Sequence, residues 1–327
     1  MSAISRSWQE YAVPGAGDQD VTSETTDAQS RAEAWRDTLK AVARERGFFE
    51  DVGDMHKAIF IPQDGEAGQT LVVVFDNLDD VRQNVDRLPW AVDFISSQGW
   101  SSLGLMAHGP TWYRDDAVLN FFDRLKDEGF FGKFARVVFY GTSMGGYAAC
   151  AFSSVVEGAT VVAINPQATL AREHTPWEQR FRPAWRRDFS GRYGYAPDMV
   201  AAAKKVWVFY DSRILADASH AALFRGVQIQ KVRCPFMGHG MLSVWRDMGV
   251  LKPIVSACIN GTATPTSVLA LLRTRHGSLG YKRAVLAYLQ KQGRHRLVIR
   301  WCNAVMRERR GPVFVNARAA AQKALGQ

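Results

Sequence analysis

Ala135-Arg136-Val137-Val138-Phe139-Tyr140-Gly141-Thr142-Ser143-Met144-Gly145-Gly146-Tyr147-Ala148-Ala149-Cys150 is the stretch whose reading decides the fold. Val137 to Tyr140 is an apolar, β-branched and aromatic run, as a buried strand requires. It passes directly into Gly141-Thr142-Ser143-Met144-Gly145 and then into small, apolar, helix-forming residues. Strand, G-x-S-x-G and helix in that order make a nucleophile elbow, in which a serine is pushed out of the sheet on a strained turn. Glycine at 141 and 145 follows from the geometry, because side chains there would collide with the neighbouring strand and helix. The helix that begins behind Ser143 points unpaired N–H groups at any negative charge developing beside the serine.

Outward from this turn the pattern repeats. Ala58–Pro62, Leu71–Phe75, Ser102–Met106, Ala159–Ile164, Lys205–Tyr210 and Val227–Val232 read as further strands. Trp90–Ser97 and Asp115–Glu128 read as helices between them, the second with Val118, Leu119, Phe122 and Leu125 on one face. Strand–helix–strand alternation predicts an α/β fold with a doubly wound, mostly parallel sheet. Between Gln167 and Met199 the alternation lapses into a segment rich in arginine and aromatics, which reads as a cap insertion at about 167–199. Trp177, Trp185 and Arg186 are its candidate substrate-binding residues. Residues 1–30 are polar and read as a loose arm; 29–46 read as a helix with Ala34, Trp35, Leu39 and Val42 on one face. The expected organisation is an N-terminal arm and helix over 1–50, a core domain over 51–260, and a helical appendage over 261–327. Within the appendage, 268–273, 281–290 and 297–307 read as short helices, and Pro312-Val313-Phe314-Val315 is its one strand-like stretch.

The chain has 327 residues, 47% hydrophobic and 22% charged, enough for a sizeable core. Its net charge of +9 is unevenly spread. Residues 261–327 hold 13 of the 41 Lys and Arg but one acid, Glu308, which puts this segment at +12 and residues 1–260 at −3. The basicity is therefore a property of the appendage, where it suits an anionic polymer or partner, and no nucleic-acid motif accompanies it. No apolar run is long enough to span a membrane, and the N-terminus has no secretory signal pattern, so a cytoplasmic protein is expected. Cys150, Cys234, Cys258 and Cys302 are widely spaced, form no metal pair and read as free thiols. No metal or organic cofactor is expected.

A serine hydroxyl needs a base, and the base needs an orienting acid. After Ser143, Asp211 follows the strand Lys205–Tyr210, and His239 lies in the Gly238-His239-Gly240 loop after Val227–Val232. Ser, Asp, His, each past the end of a strand, is the order that sheet hydrolases with this elbow use. Asp76, beyond Leu71–Phe75, is the competing acid. The backbone N–H of Met144 is the expected first oxyanion donor; the second is expected from the loop after Leu71–Phe75, at Asn77 or Leu78, with Asn77 preferred.

On these residues, 58–250 resemble the α/β-hydrolase superfamily, and Gly141–Ala149 is similar to the elbow of serine esterases. The resemblance implies Ser143 as nucleophile, His239 as base and Asp211 as acid, acting on an ester or thioester of a small-molecule or polymer-linked acyl group through an acyl-enzyme. The alternatives are an acyltransferase on the same triad and a catalytically idle hydrolase fold that binds an anionic polymer or partner. More narrowly, Phe139–Tyr147, Asn165–Leu170 and Asp188–Tyr195 are similar to a bacterial group of hydrolase-like proteins, some of which carry the label phosphoadenosine phosphosulfate reductase. That chemistry is not expected: the Ser-Gly-Gly-x-Asp-Ser loop is missing, and Cys302 sits in an ordinary helical pattern.

Overall fold

The computed structural model describes residues 21–43, 47–77 and 88–326. The first 20 residues of the expected arm, the end of the expected helix at 44–46, and Leu78 lie outside the described residues. Eight strands form one sheet: β1 (Phe48–Val52), β2 (His56–Ile61), β3 (Thr70–Asn77), β4 (Ser101–Ala107), β5 (Arg136–Thr142), β6 (Thr160–Ile164), β7 (Lys205–Tyr210) and β8 (Ile229–Arg233). Their order is β1-β2-β4-β3-β5-β6-β7-β8. β2 runs antiparallel to β1 and β4, whereas β4, β3, β5, β6 and β7 pair in parallel. The doubly wound, mostly parallel sheet expected from the sequence is therefore present.

The central strands are apolar on both faces because both faces are covered. Leu71 to Val74, Val138, Phe139 and Val161 to Ile164 are all buried. β1 carries the one strand that apolar runs do not reveal. Its Phe48-Phe49-Glu50-Asp51-Val52 is half polar, as an edge strand of a hairpin can be, and Gly53 turns it into β2 at φ 64°.

Helices cross between strands: α1 (Val21–Ala43) precedes the sheet, α2 (Val92–Ser97) leads into β4, α3 (Asp116–Asp127) into β5, α4 (Met144–Phe152) leaves the elbow, and α5 (Leu215–Leu223) precedes β8. α3 buries Val118, Leu119, Phe122 and Leu125 as expected. α1 differs from its sequence reading in two ways. It begins at Val21, inside the expected arm, and its buried line is Trp35, Leu39 and Ala43, while Val42 is 43% exposed. Spacing of four holds 35, 39 and 43 on one side, and Val42 is turned roughly 100° from Ala43.

The chain packs as two compact units. One contains the chain up to Tyr210 together with Leu215–Val232; the other joins the turn Asp211–Ile214 to everything from Arg233 onward. The second unit is helical: α6 (Met241–Asp247), α7 (Leu251–Ile259), α8 (Pro265–Leu272), α9 (Leu279–Lys291), α10 (His295–Glu308) and α11 (Pro312–Ala324). A capping box between Thr264 and Ser267 starts α8. Leu286 of α9, Val298, Cys302 and Val305 of α10, and Phe314, Ala317 and Ala321 of α11 make a core of their own. Pro312–Val315, strand-like in sequence, is the first turn of α11. Proline at the first helical position is tolerated there, because its missing N–H has no intrahelical role.

Candidate active site

Ser143 has φ 50° and ψ −121°, a costly conformation for a residue with a Cβ. The surroundings leave it no alternative. Its N–H donates to the Ile164 carbonyl of β6 at 2.9 Å, and its own carbonyl accepts from Tyr147 at 2.9 Å, so strand and helix grip it from both sides. A Cβ on Gly141 would lie 2.0 Å from the Gly145 carbonyl oxygen, and one on Gly145 would lie 2.9 Å from the Phe75 carbonyl oxygen of β3. Both glycines are therefore steric requirements of the turn, as the sequence implies. Met144 opens α4, so its N–H has no intrahelical acceptor and is available beside the serine.

A half-open cavity of about 220 Å³ lies at the turn. Ser143 and Met144 form part of its floor, and Trp90, Trp112, Tyr113 and Phe181 part of its walls. Trp112 and Phe181 meet edge to face, with ring centroids 5.0 Å apart. Among the described residues Asp76 is the one carboxylate in the lining, and it is engaged: its Oδ2 accepts from the Trp90 backbone N–H at 2.6 Å, and its carbonyl accepts from the Tyr113 hydroxyl at 2.8 Å. These bonds give Asp76 a structural part in the cavity wall. Asn77, the last residue of β3, pairs in register with Ala107.

The wall at Trp112 and Tyr113 is itself strained. Both residues have positive φ, 56° and 55°, without being glycine. Buried polar contacts hold them there. His56 Nε2 and the Thr111 hydroxyl are hydrogen-bonded at 2.7 Å, and the same Oγ1 accepts from the Tyr113 N–H at 3.2 Å. Arg114, also buried, donates to the carbonyls of Asp188 and Arg192 at 2.8 and 2.6 Å, and Tyr147 donates to the Tyr193 carbonyl at 2.9 Å. The far end of the 167–199 segment is thus tied to the elbow helix and to the loop after β4. Burial lowers His56 to about 4; Asp115, 3.5 Å from Nδ1, opposes the shift and Arg187 adds to it. Of His56, Thr111, Arg114 and Tyr147, only Tyr147 falls within a motif, the elbow stretch Gly141–Ala149.

The cap residues singled out in the sequence sit elsewhere. Trp177 packs on His220 with ring centroids 4.6 Å apart, and Trp185 lies between Arg172 and Arg182, whose guanidinium carbons are 5.2 and 5.5 Å from its ring centre. Arg186 is exposed. None of the three lines the cavity at Ser143; from this segment it is Phe181 that does. His220 belongs to a buried ionic group: Arg180 bridges Glu178 at 2.6 Å and Asp217 at 2.7 Å, and His220 Nδ1 accepts from the Ala168 N–H, which leaves Nε2–H to donate to Glu178 at 3.2 Å. Burial pushes the Glu178 carboxyl up, but the bonds from His220 and Arg180 outweigh it and hold it at about 2.

Asp211 and His239 belong to the second unit. Asp211 directly follows β7 and is 2% exposed. Its carboxylate accepts backbone N–H bonds from Arg213 at 2.8 Å, Phe236 at 3.1 Å and Gly238 at 2.7 Å. The acid is therefore bonded on both sides of Met237 and within one residue of His239. The loop is pinned further by the Trp245 indole, which donates to Met237 Sδ at 3.2 Å, and by Phe236, which packs on Tyr281 and Tyr288 of α9 at centroid distances of 6.1 and 5.3 Å. Arg213 lies over both Phe236 and Tyr288, at 5.1 and 5.0 Å.

Strand order β1-β2-β4-β3-β5-β6-β7-β8 with an antiparallel start, and a positive-φ serine between β5 and its helix, now stand together. The fold is that of the α/β-hydrolases. Similar solved structures include an esterase of Pyrobaculum calidifontis, at 15% identity over 81% of this chain and all of that one (TM-score 0.45). A capsule O-acetyltransferase of Neisseria meningitidis serogroup A is similar at 10% identity over 64% and 96% of the two chains (TM-score 0.41), and an esterase of Pyrococcus furiosus at 14% over 65% and 92% (TM-score 0.40). No protein-family model and no curated relative matches the chain. Among the described residues no helix is long and apolar enough to cross a membrane.

Proposed function

We propose that the protein is a serine hydrolase that cleaves an ester or thioester through an acyl-enzyme, with Ser143 as nucleophile, His239 as base and Asp211 as the acid that orients it. The observation that carries this reading is the backbone of Ser143: φ 50° on a glycine-flanked turn at the floor of an aromatic cavity. Strain of this kind costs on the order of 1–3 kcal/mol and persists where its surroundings over-determine it, as functional sites do.

In the proposed reaction His239 takes the Ser143 hydroxyl proton as Oγ attacks the acyl carbonyl. The tetrahedral oxyanion is held by the N–H of Met144 and by that of Asn77. Collapse breaks the carbonyl–leaving-group bond, and the alcohol or thiol leaves with the proton from His239. Water then attacks the acyl-enzyme, again deprotonated by His239, and frees the acid and Ser143. Asp211 fixes the imidazole tautomer, a role supported by the bonds it accepts from Phe236 and Gly238, on the loop that carries His239. Trp90, Trp112 and Phe181 would line the acyl side.

A fluorophosphonate probe tests the reading. It should label the wild-type chain and leave Ser143→Ala unlabelled, with His239→Ala and Asp211→Asn labelled far more slowly. A wild-type chain that stays unlabelled from about pH 6 to about pH 9, the workable range for a histidine base, would end the proposal.

A further inference from the structure

The second unit holds a cavity of about 200 Å³ between the start of α9 and the start of α11, well away in sequence from Ser143. Arg283, Arg309 and Arg310 line it, together with Pro312, Val313 and Phe314. Three exposed arginines thus share one lining, and no carboxylate is among its described lining residues. The one acid of residues 261–327, Glu308, is next in sequence to Arg309 but is bound to Lys282 Nζ at 2.5 Å. Like charges gathered round a cavity repel one another, and a carboxylate placed among them would relieve this at no cost to the fold. Here the neighbouring carboxylate is paired with Lys282, so the three arginines keep their charge for an anion from solution.

The chemistry of the lining narrows what that is. Each guanidinium offers a planar fork of donors, and forks from two separate elements suit a tetrahedral dianion better than a planar carboxylate. The adjoining first turn of α11, a helix of 13 residues whose Gly311 cap supplies no side chain, adds a smaller attraction of the same sign. Val313 is 44% exposed at the rim, so one side of the space is apolar. At ~30 Å³ per water the cavity exceeds what a phosphate group alone displaces.

We propose that this cavity binds the phosphate group of an organic phosphate ester, with the three arginines on the phosphate and Pro312 and Val313 against the organic part. The proposal does not depend on the hydrolase reading.

Calorimetric titration of the full chain at low salt tests it, with phenyl phosphate and inorganic phosphate as probes. Phenyl phosphate should bind more tightly than inorganic phosphate, and Arg309→Gln/Arg310→Gln should weaken it about tenfold or more, the loss expected for charged hydrogen bonds. The double variant Arg273→Gln/Arg296→Gln removes the same charge from exposed positions outside the cavity and should change binding less than about threefold. Equal losses in the two double variants would show diffuse attraction and overturn the site, as would failure of wild type to bind either probe. Vesicles of phosphatidic acid in phosphatidylcholine separate the sources. Binding that needs Arg309 and Arg310 assigns a lipid headgroup, and phenyl phosphate binding without vesicle binding assigns a soluble ester. Thermal unfolding of each variant, unchanged from wild type, keeps misfolding out of the comparison.

Discussion

The turn at Ser143 and the loop that carries His239 lie in different units, and different forces fix them. Ser143 is held by its backbone: two glycines that admit no Cβ, and hydrogen bonds to β6 and α4. The Asp211–His239 segment is held by side chains. One carboxylate collects three backbone N–H groups, an indole reaches a thioether, and an arginine lies over a phenylalanine and a tyrosine from α9. Steric confinement writes itself into local sequence as G-x-S-x-G. Side-chain clamping draws partners from far along the chain, and no short motif records it.

Four substitutions would break or sharpen this contrast. The largest effect is expected at Asp211→Asn, which replaces an acceptor of three N–H bonds by an amide that cannot accept them all. In serine proteases the equivalent change costs about 10⁴ in kcat, or about 5.5 kcal/mol. Ester turnover by a folded variant within tenfold of wild type would remove Asp211 from the proposed triad. Next is Gly141→Ala. With a contact of 2.0 Å to backbone on offer, the turn cannot form as it stands, and a loss of about 4 kcal/mol or more is expected in urea unfolding. A midpoint like that of wild type would mean that the elbow relaxes freely.

The third effect is a pH dependence. His56 is buried neutral, its folded value of about 4 lying below the ordinary 6.5. The unfolded chain therefore binds the extra proton first. The stabilisation is complete above 6.5, falls as pH drops from 6.5 to about 4, and amounts to about 3 kcal/mol. His56→Leu should flatten the stability curve across that window, read by urea titration at several pH values. Glu178 acts lower: its contribution is complete above 4.5 and is lost only as pH falls toward 2. The smallest effect is expected at Tyr288→Ala, which removes one of the two rings under Arg213. Cation–π contacts contribute roughly 0.5–2 kcal/mol, so kcat should fall several-fold with KM unchanged. Tyr288→Phe keeps the ring and should restore most of the rate. A KM effect instead would place Tyr288 in substrate binding and not in support of the His239 loop.

The sequence made the sheet legible because its central strands are buried on both faces and so are continuously apolar. β1 was not legible, since Phe48–Val52 neither alternates nor is continuously apolar, with Glu50 and Asp51 side by side at an edge. The elbow was legible to the residue. The cavity wall was not: Phe181 lies among six arginines and five other aromatics, and composition gave no reason to prefer it to Trp177 or Trp185. Trp112 and Tyr113 depend on His56, 55 residues before Thr111, a partnership that periodicity does not encode. At Pro312–Val315 a β-branched run was outvoted by proline at a helix start and by the burial of Phe314, Ala317 and Ala321 at helical spacing.

Phe236 rests on Tyr281 and Tyr288, and both tyrosines stand on α9, deep in the basic segment. Net charge changes sign near residue 260, but packing continues across it. For the inheritance of this protein, the charge step is therefore no seam for exchange. A gene rearrangement that swapped the basic helices for another module would strip Phe236 of both tyrosines and Arg213 of one of its two rings, and the graft would have to evolve a new support for the histidine loop before it could be kept.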